Sequence, residues 1–469
     1  MENGIAGFAW ETDLILNEFQ IPQEDLIDMR NQSIPADCRK TTSMNPVITS
    51  IYTADPSAHV WEDGRVYIYA SHDVDPARGC DLMDRYHVFS SADMVNWRDE
   101  GEILGSADVP WGRPEGGFMW APDCAYKNGT YYFYYPHPSG SDWNSTWKIG
   151  VAASPEPSRG FTDQGYIPGL GGFAMIDPAV FVDEDNRAYM YYGGGGKCEA
   201  GELDEDMMSI KGGMREMEGL EDFHEAAWVF KRNGVYYLTY ADNLENNNRM
   251  RYATSDQPLG PWMYRGIFLE PTGCSTTHGS VAEFKGQWYL FYHNQELSGE
   301  GTLRSVCIDE LYFNEDGTIR RVVQTREGVK PAGEAPLPNP LMKSYEAGDS
   351  TAGSGAVIEA SDEGRSVIAG LDGADACCRF HNVDGGVNGG RAEARILYAT
   401  AEPLAKLRLM VNGKDYSLIN APSTGGSTAF TGCTGLTVQL EPGSGNLITW
   451  TGGKGDVRIS GMTVSPLGD

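Results

Sequence analysis

The sequence predicts an all-β protein: a five-bladed β-propeller followed by a smaller β-sandwich. Three observations predict it. From Asn45 to about Glu327 the chain is dense in short aromatic and β-branched runs, separated by turn residues and nearly free of helical periodicity. Within that stretch one unit recurs five times, an apolar strand, a tight turn and an aromatic strand. After Lys330 the composition changes, yet short alternating runs continue to the end of the chain.

The first 43 residues are polar and lack strand patterning, which reads as an N-terminal extension laid on the surface. The five aromatic strands then follow in order. They are Arg65-Val-Tyr-Ile-Tyr69, Thr130-Tyr-Tyr-Phe-Tyr134, Arg187-Ala-Tyr-Met-Tyr191, Val235-Tyr-Tyr-Leu-Thr239 and Gln287-Trp-Tyr-Leu-Phe291. The turns before them hold Asp63-Gly64, Asn128-Gly129, Asp185-Asn186, Asn233-Gly234 and Lys285-Gly286, dipeptides suited to tight hairpins because Gly and Asn tolerate positive φ. The second turn residues stand 65, 57, 48 and 52 residues apart, room for a four-stranded blade and its loops. Five blades therefore occupy residues 44–329. Residues 330–340 form a Pro-rich linker. Over 341–469 aromatics become rare. The runs Ala405-Lys-Leu-Arg-Leu-Met-Val411, Leu436-Thr-Val-Gln-Leu440, Asn446-Leu-Ile-Thr-Trp450 and Asp456-Val-Arg-Ile459 read as strands of a sandwich.

Charge narrows the function. Lys and Arg number 36 against 66 Asp and Glu, a formal net charge of −30. A nucleic-acid ligand needs a basic face, and an anionic membrane surface repels such a chain. No apolar stretch approaches the length of a membrane span. Residues 1–14 lack the basic start and apolar run of a signal peptide, so the chain is expected in the cytoplasm, acting on short imported oligosaccharides. Nine scattered cysteines without metal-type spacing read as reduced, mostly buried thiols.

Each repeat opens on a polar residue set in an apolar strand. The openings are Ala54-Asp55-Pro56-Ser57, Ala121-Pro122-Asp123, Ile176-Asp177-Pro178-Ala179, His224-Glu225-Ala226-Ala227 and Thr277-His278-Gly279-Ser280. Inner strands of a propeller line a central funnel, so these residues should converge. Converging carboxyls in a partly dry pocket split their pKa values, one becoming an acid while another stays ionised as a base. Glycosidic hydrolysis needs that division. An Asp before Pro also starts strands as a turn or cap, which is the alternative reading of Asp55 and Asp177, and Asp123, in Trp120-Ala-Pro-Asp123, reads as structural. Glu225 is harder to explain so, lying in the largely apolar run Phe223-His-Glu-Ala-Ala-Trp-Val229. His278 is open between a core histidine, a metal ligand and a substrate contact. Arg304, after the last aromatic strand, could pair with a carboxylate and tune it or cover an edge. Phe118, Trp120 and Trp143 lie in loop-like contexts where an aromatic face could stack on a sugar.

Tyr52-Thr-Ala-Asp-Pro-Ser57, Met119-Trp-Ala-Pro-Asp123, Ile176-Asp-Pro-Ala-Val180 and His224-Glu-Ala-Ala-Trp228, in that order and spacing, resemble glycoside hydrolase family 43 over residues 44 to 328. The resemblance implies an inverting, exo-acting hydrolase of plant cell-wall pentosides. It implies Asp55 as general base, Glu225 as general acid, and Asp177 as the carboxylate that orients Glu225 and raises its pKa. Inversion asks for base and acid about 6.5–9.5 Å apart. It further implies a calcium ion in the central channel, held largely by waters near His278, and matches Arg304 to an arginine that contacts the sugar; Trp120, Phe118 and His278 are expected beside the sugar from their own contexts. The run from Ser305 to Asn314 and the following Glu327-Gly-Val329 look more like the α-L-arabinofuranosidase branch than the β-D-xylosidases. A non-catalytic sugar-binding propeller would lack one of the three carboxylates, and all three are present. Gly443-Ser-Gly-Asn-Leu-Ile448 and Asp456-Val-Arg-Ile-Ser-Gly-Met462 resemble carbohydrate-binding module family 6, although Tyr345, Tyr398, Tyr416 and Trp450 are the only candidate binding platforms. A domain that buttresses the propeller is the alternative.

Overall fold

The computed structural model describes residues 40–76, 80–244, 247–333, 339–361 and 364–467. Most of the expected N-terminal extension, and residues 334–338 of the linker, lie outside the described residues. The described chain is all-β, with a few single-turn 3-10 segments and no α-helix.

Five antiparallel meanders come first. They are β1–β4 (Tyr52–Val60, Val66–Asp73, Arg85–Ser91, Arg98–Gly105), β5–β8 (Asp123–Lys127, Thr130–Pro138, Trp147–Ser154, Thr162–Tyr166) and β9–β12 (Ala179–Val182, Ala188–Gly194, Lys197–Leu203, Ile210–Glu216). Then follow β13–β16 (Glu225–Arg232, Val235–Ala241, Met250–Ser255, Met263–Leu269) and β17–β19 (Gly279–Phe284, Gln287–Asn294, Ser305–Leu311). The expected aromatic run is the second strand of every sheet. It sits between two partners and is buried along most of its length, which is why it reads as continuous aromatic sequence without alternation. The turns behave as their residues require: Asn128, Asn186, Asn233 and Lys285 adopt φ between 49° and 64°.

The first strands touch in a closed cycle, β1 to β5, β5 to β9, β9 to β13, β13 to β17 and β17 back to β1. Apolar clusters fill the gaps between successive sheets, for example Tyr69 with Phe133, Val151 with Met190, and Leu238 with Tyr191. The last sheet has three strands, and the segment before β1 runs along its open edge. Val47 N–H donates to Val306 O at 2.7 Å. The Asn45 side chain copies a strand's pairing, accepting from Ile308 N–H at 2.8 Å and donating to Ile308 O at 3.0 Å. The cycle thus closes through residues that precede the first repeat.

The C-terminal part holds β20 (Lys343–Glu346), β21 (Thr351–Ala352), β22 (Val357–Ala360), β23 (Ser366–Ala369), β24 (Cys377–Val383) and β25 (Gly390–Ala399). It continues with β26 (Leu404–Val411), β27 (Lys414–Pro422), β28 (Gly432–Leu440), β29 (Asn446–Lys454) and β30 (Arg458–Pro466). Two sheets result, ordered β22-β23-β30-β25-β28 with β20 on β30, and β21-β24-β29-β26-β27. Trp450 and Tyr398 are core residues here, and Tyr345 and Tyr416 are half-buried. None of the four therefore stands out as an exposed platform. This part docks on the first sheet: Arg395 and Arg391 donate to the carbonyls of Trp97 and Glu100 at 2.8 and 2.7 Å, and Asp99 accepts from Thr437 N–H at 2.7 Å.

Candidate active site

Antiparallel pairing puts the start of each first strand beside the end of its second strand. Tyr52 pairs with Asp73, Glu225 with Ala241 and Gly279 with Tyr292. One mouth of the cycle of first strands is therefore built from strand starts and second-strand ends. Asp55, Glu225 and His278 come from the starts, Asp177 from the turn entering β9.

The backbone at these points is bent. Bulges interrupt the pairing between Ala54 and Ser57 and between Glu225 and Trp228. Asp55, Asp177 and Ala226 take φ of 51°, 52° and 63°. Such conformations cost about 1–3 kcal/mol each and persist where surrounding contacts impose them.

Asp55 is buried and fully partnered. Its Oδ1 accepts from Arg304 Nη1 at 2.8 Å, its Oδ2 from Ser71 Oγ at 2.6 Å. Burial pushes its carboxyl up, but Arg304, His293, His278 and the Ser71 bond outweigh it and hold it below the ordinary carboxylate value. Arg304 binds Asp73 with both arms, Nε to Oδ2 and Nη2 to Oδ1, each at 2.9 Å, and its own N–H donates to Asp73 Oδ2 at 2.8 Å. Of the two readings the residues left open for Arg304, the ion pair is the one present. Burial and Arg304 depress His293 to about 3, so it is neutral at pH 7. Its Nδ1 accepts from Asp55 N–H at 3.1 Å and its Nε2 donates to Thr276 O at 2.9 Å.

Asp177 and Glu225 form the opposite half. Asp177 Oδ2 accepts from Ala226 N–H at 3.0 Å. Burial first, then the charges of Glu225 and Asp55, raise Asp177 well above the usual carboxylate range. Glu225 is also raised, by burial, against the lowering effects of His224, Asn243 and Arg304. Both carboxyls of the pair are therefore shifted toward the protonated form. The Glu225 side chain retains 15% exposure, and Asn243 Nδ2 donates to its Oε1. His278 lies 3.7 Å from Asp177 Oδ2 through Nδ1, and burial keeps it below the ordinary imidazole value.

Asp123 plays a different part. Its Oδ1 accepts from Cys124 N–H at 2.7 Å and bonds Ser57 Oγ and His59 Nε2, while its Oδ2 accepts from Val180 N–H at 2.6 Å. It joins three neighbouring first strands, as its structural reading expects. Beside Asp177, Ile176 packs in a cluster with Phe118, Trp120 and Trp147. Phe118 is buried between Trp143, stacked at 5.1 Å, and the Arg113 guanidinium, 5.1 Å from its ring centre. Trp143 is the exposed aromatic of that group, at 37%.

Three members of the site went unnoticed in the sequence: Asp73, Asn243 and His293. Each lies at or just beyond the end of a second strand. Counting hairpin register outward from the turn Asp63-Gly64 brings Asp73 opposite Thr53, one residue from its actual partner Tyr52, because the bulge between Ala54 and Ser57 shifts the pairing. Among the described residues no group of three or more His, Cys, Asp or Glu side chains is placed to hold a metal ion. Calcium takes about six to eight oxygen ligands, so the side chains alone do not make its cage.

The glycosyl hydrolases family 43 model matches residues 43–319, the stretch that carries all of these groups. The chain belongs to glycosyl hydrolase family 43. The xylosidase/arabinosidase 43A of Humicola insolens is 38% identical over 59% of this chain and 98% of its own length. The arabinoxylan arabinofuranohydrolase of Bacillus subtilis (strain 168) is 30% identical and spans 87% of this chain and 91% of its own, so that likeness includes the C-terminal sheets. A family 43 β-xylosidase/α-arabinofuranosidase from a compost microbial metagenome, solved with xylotriose in a calcium-free form, superposes with a TM-score of 0.54 at 36% identity, covering 60% of this chain and 97% of that one. This family 43 protein is a glycosidase.

Proposed function

We propose that the protein is an inverting, exo-acting hydrolase that releases terminal α-L-arabinofuranosyl residues from arabinoxylan-derived or arabino-oligosaccharides, with β-D-xylosides as second substrates. One observation carries the mechanism: three carboxyls meet at one mouth with pKa values pushed in opposite directions. Asp55 is held ionised and is the base that takes a proton from water. Glu225 is raised and partly open to the mouth, and is the acid that protonates the leaving oxygen. Asp177, anchored on Ala226 N–H beside the Glu225 turn, keeps the proton on that side and orients it. Arg304 acts through Asp55. Trp143 and Trp120, with Phe118 behind, border the sugar. The two names carried by the relatives support the paired substrates, since pockets that select by shape discriminate close analogues poorly.

The fold reading belongs to the same proposal. The five meanders are the blades of a propeller spanning residues 44–329, and the two C-terminal sheets over 341–469 form a sandwich. Calcium, where the resemblance places it, is held through water beside His278, and no step above runs through it. Chelation is then expected to lower Tm, and added calcium to restore it. A chelated protein with unchanged Tm and rate rejects the ion.

Initial rates on aryl α-L-arabinofuranoside and aryl β-D-xyloside at equal concentration test the activity, with proton NMR of the first-formed sugar. Hydrolysis of the arabinofuranoside with inverted anomeric configuration is expected. A product that keeps its configuration rejects the roles given to Asp55 and Glu225. Inactivity of the folded protein on both substrates rejects the substrate class.

A further inference from the structure

We infer that the C-terminal sheets position the catalytic base: β26 and β27 clamp the two chain segments that enter and leave the β1–β2 pair at its Tyr52–Asp73 end, and Lys406 is the positioning residue of that clamp. The inference rests on reading Asp55 as the base. Lys406 and Asn420 are cross-strand partners in β26 and β27. Each grips a segment adjoining the first sheet. Asn420 N–H donates to Ser50 O at 2.8 Å, two residues before Tyr52. Lys406 Nζ pairs with Asp75, two residues after Asp73, and lies 4.8 Å from the centre of the Tyr52 ring. Tyr52 and Asp73 are themselves opposite each other across β1 and β2. Two paired residues of one sheet thus hold the two chain segments that leave one strand pair of another.

That strand pair leads directly to the base. Asp73 takes three hydrogen bonds from Arg304, whose remaining arm reaches Asp55 Oδ1. Thr53 N–H donates to Arg304 O at 2.9 Å, so the arginine is tied to both strands of the pair. A shift at the ends of β1 and β2 therefore moves Asp73, the guanidinium and the carboxylate together. Lys406 is 7% exposed, and a lysine so buried is rarely found without a partner that holds it. Its ammonium faces Asp75 and Tyr52, which belong to the chain around the first sheet.

The test is Lys406→Met in the full chain, with kcat, KM and the pH profile of kcat/KM measured on an aryl pentoside. A misplaced base is expected to lower kcat by about 10- to 100-fold with KM little changed. The acid limb is expected to move to higher pH, because Asp55 loses part of its contact with Arg304 while His293, His278 and Ser71 stay in place. Lys406→Arg, which keeps the charge, is expected to recover most of the rate. A Lys406→Met enzyme with lower Tm but wild-type kcat and pH profile overturns the clamp. Should that variant fail to fold, Asp75→Asn removes the same ion pair from its more exposed end and is read identically. Asp55→Asn run in parallel separates the two readings. If it is inactive while the clamp variants are normal, only the clamp is overturned. If it stays active, the base assignment falls and the inference with it.

Discussion

Asp55→Asn is expected to lower kcat on aryl pentosides by about a hundredfold to ten-thousandfold, the range that a positioned general base contributes. The substitution is nearly isosteric. Asparagine tolerates the φ of 51° at this position and can still accept from Arg304 and donate to Ser71, so the site keeps its shape. What disappears is the ability to take a proton from water. The pH dependence of the wild type follows from the same contacts. Asp55 must be ionised, and its folded pKa lies below the ordinary value, so activity is retained into mildly acid solution and lost as pH falls through that depressed pKa. Stability carries the same sign. The ionised Asp55–Arg304 pair stabilises the fold above the unfolded pKa of the aspartate, and that contribution is lost as pH falls through the folded one. An Asn variant that keeps more than a tenth of the wild-type kcat would sink the assignment.

Glu225→Gln is expected to separate substrates by their leaving groups. On oligosaccharides, whose leaving alkoxide needs a proton, the loss is about a hundredfold to ten-thousandfold. On nitrophenyl glycosides, which leave without help, the loss is far smaller. The glutamine can still accept from Asn243, so binding is preserved. The basic limb of the pH profile is the second readout. Glu225 has a raised pKa and must be protonated to act, so the wild type loses activity as pH rises through that value, and the Gln variant is expected to lose this limb. Equal losses on both substrates, with the basic limb intact, would assign the acid to another group. Asp177, which shares the proton of this half-site, is the group to test next.

Much of this site could be read in the chain, because it is built from the openings of repeats. Asp55, Asp177, Glu225 and His278 recur at the same place in successive units, and burial in an apolar strand marks Glu225 as unusual. Asp123 opens its repeat in the same way yet is buried and bonds three neighbouring strands. In Trp120-Ala-Pro-Asp123 the Asp follows its proline, whereas Asp55 and Asp177 precede theirs, but that local difference does not reveal the junction of three strands. Asp73, Asn243 and His293 have no motif around them. They matter because hairpin pairing brings second-strand ends to the same mouth.

The sequence by itself determined the all-β class, the five hairpins, the three carboxyls and the composition break before the C-terminal sheets. Periodicity and turn chemistry are local properties, and they repeat five times in one chain. The tertiary structure decided in which direction each carboxyl's pKa is pushed and what Arg304 holds. Those outcomes depend on burial and on charges brought together from distant positions, 249 residues apart for Asp55 and Arg304. It also decided that Trp450 and Tyr398 pack inward, and that the C-terminal sheets lie on the strands that carry the base. A side chain's pKa and its partners are set by what surrounds it in space, and no local pattern of residues records that.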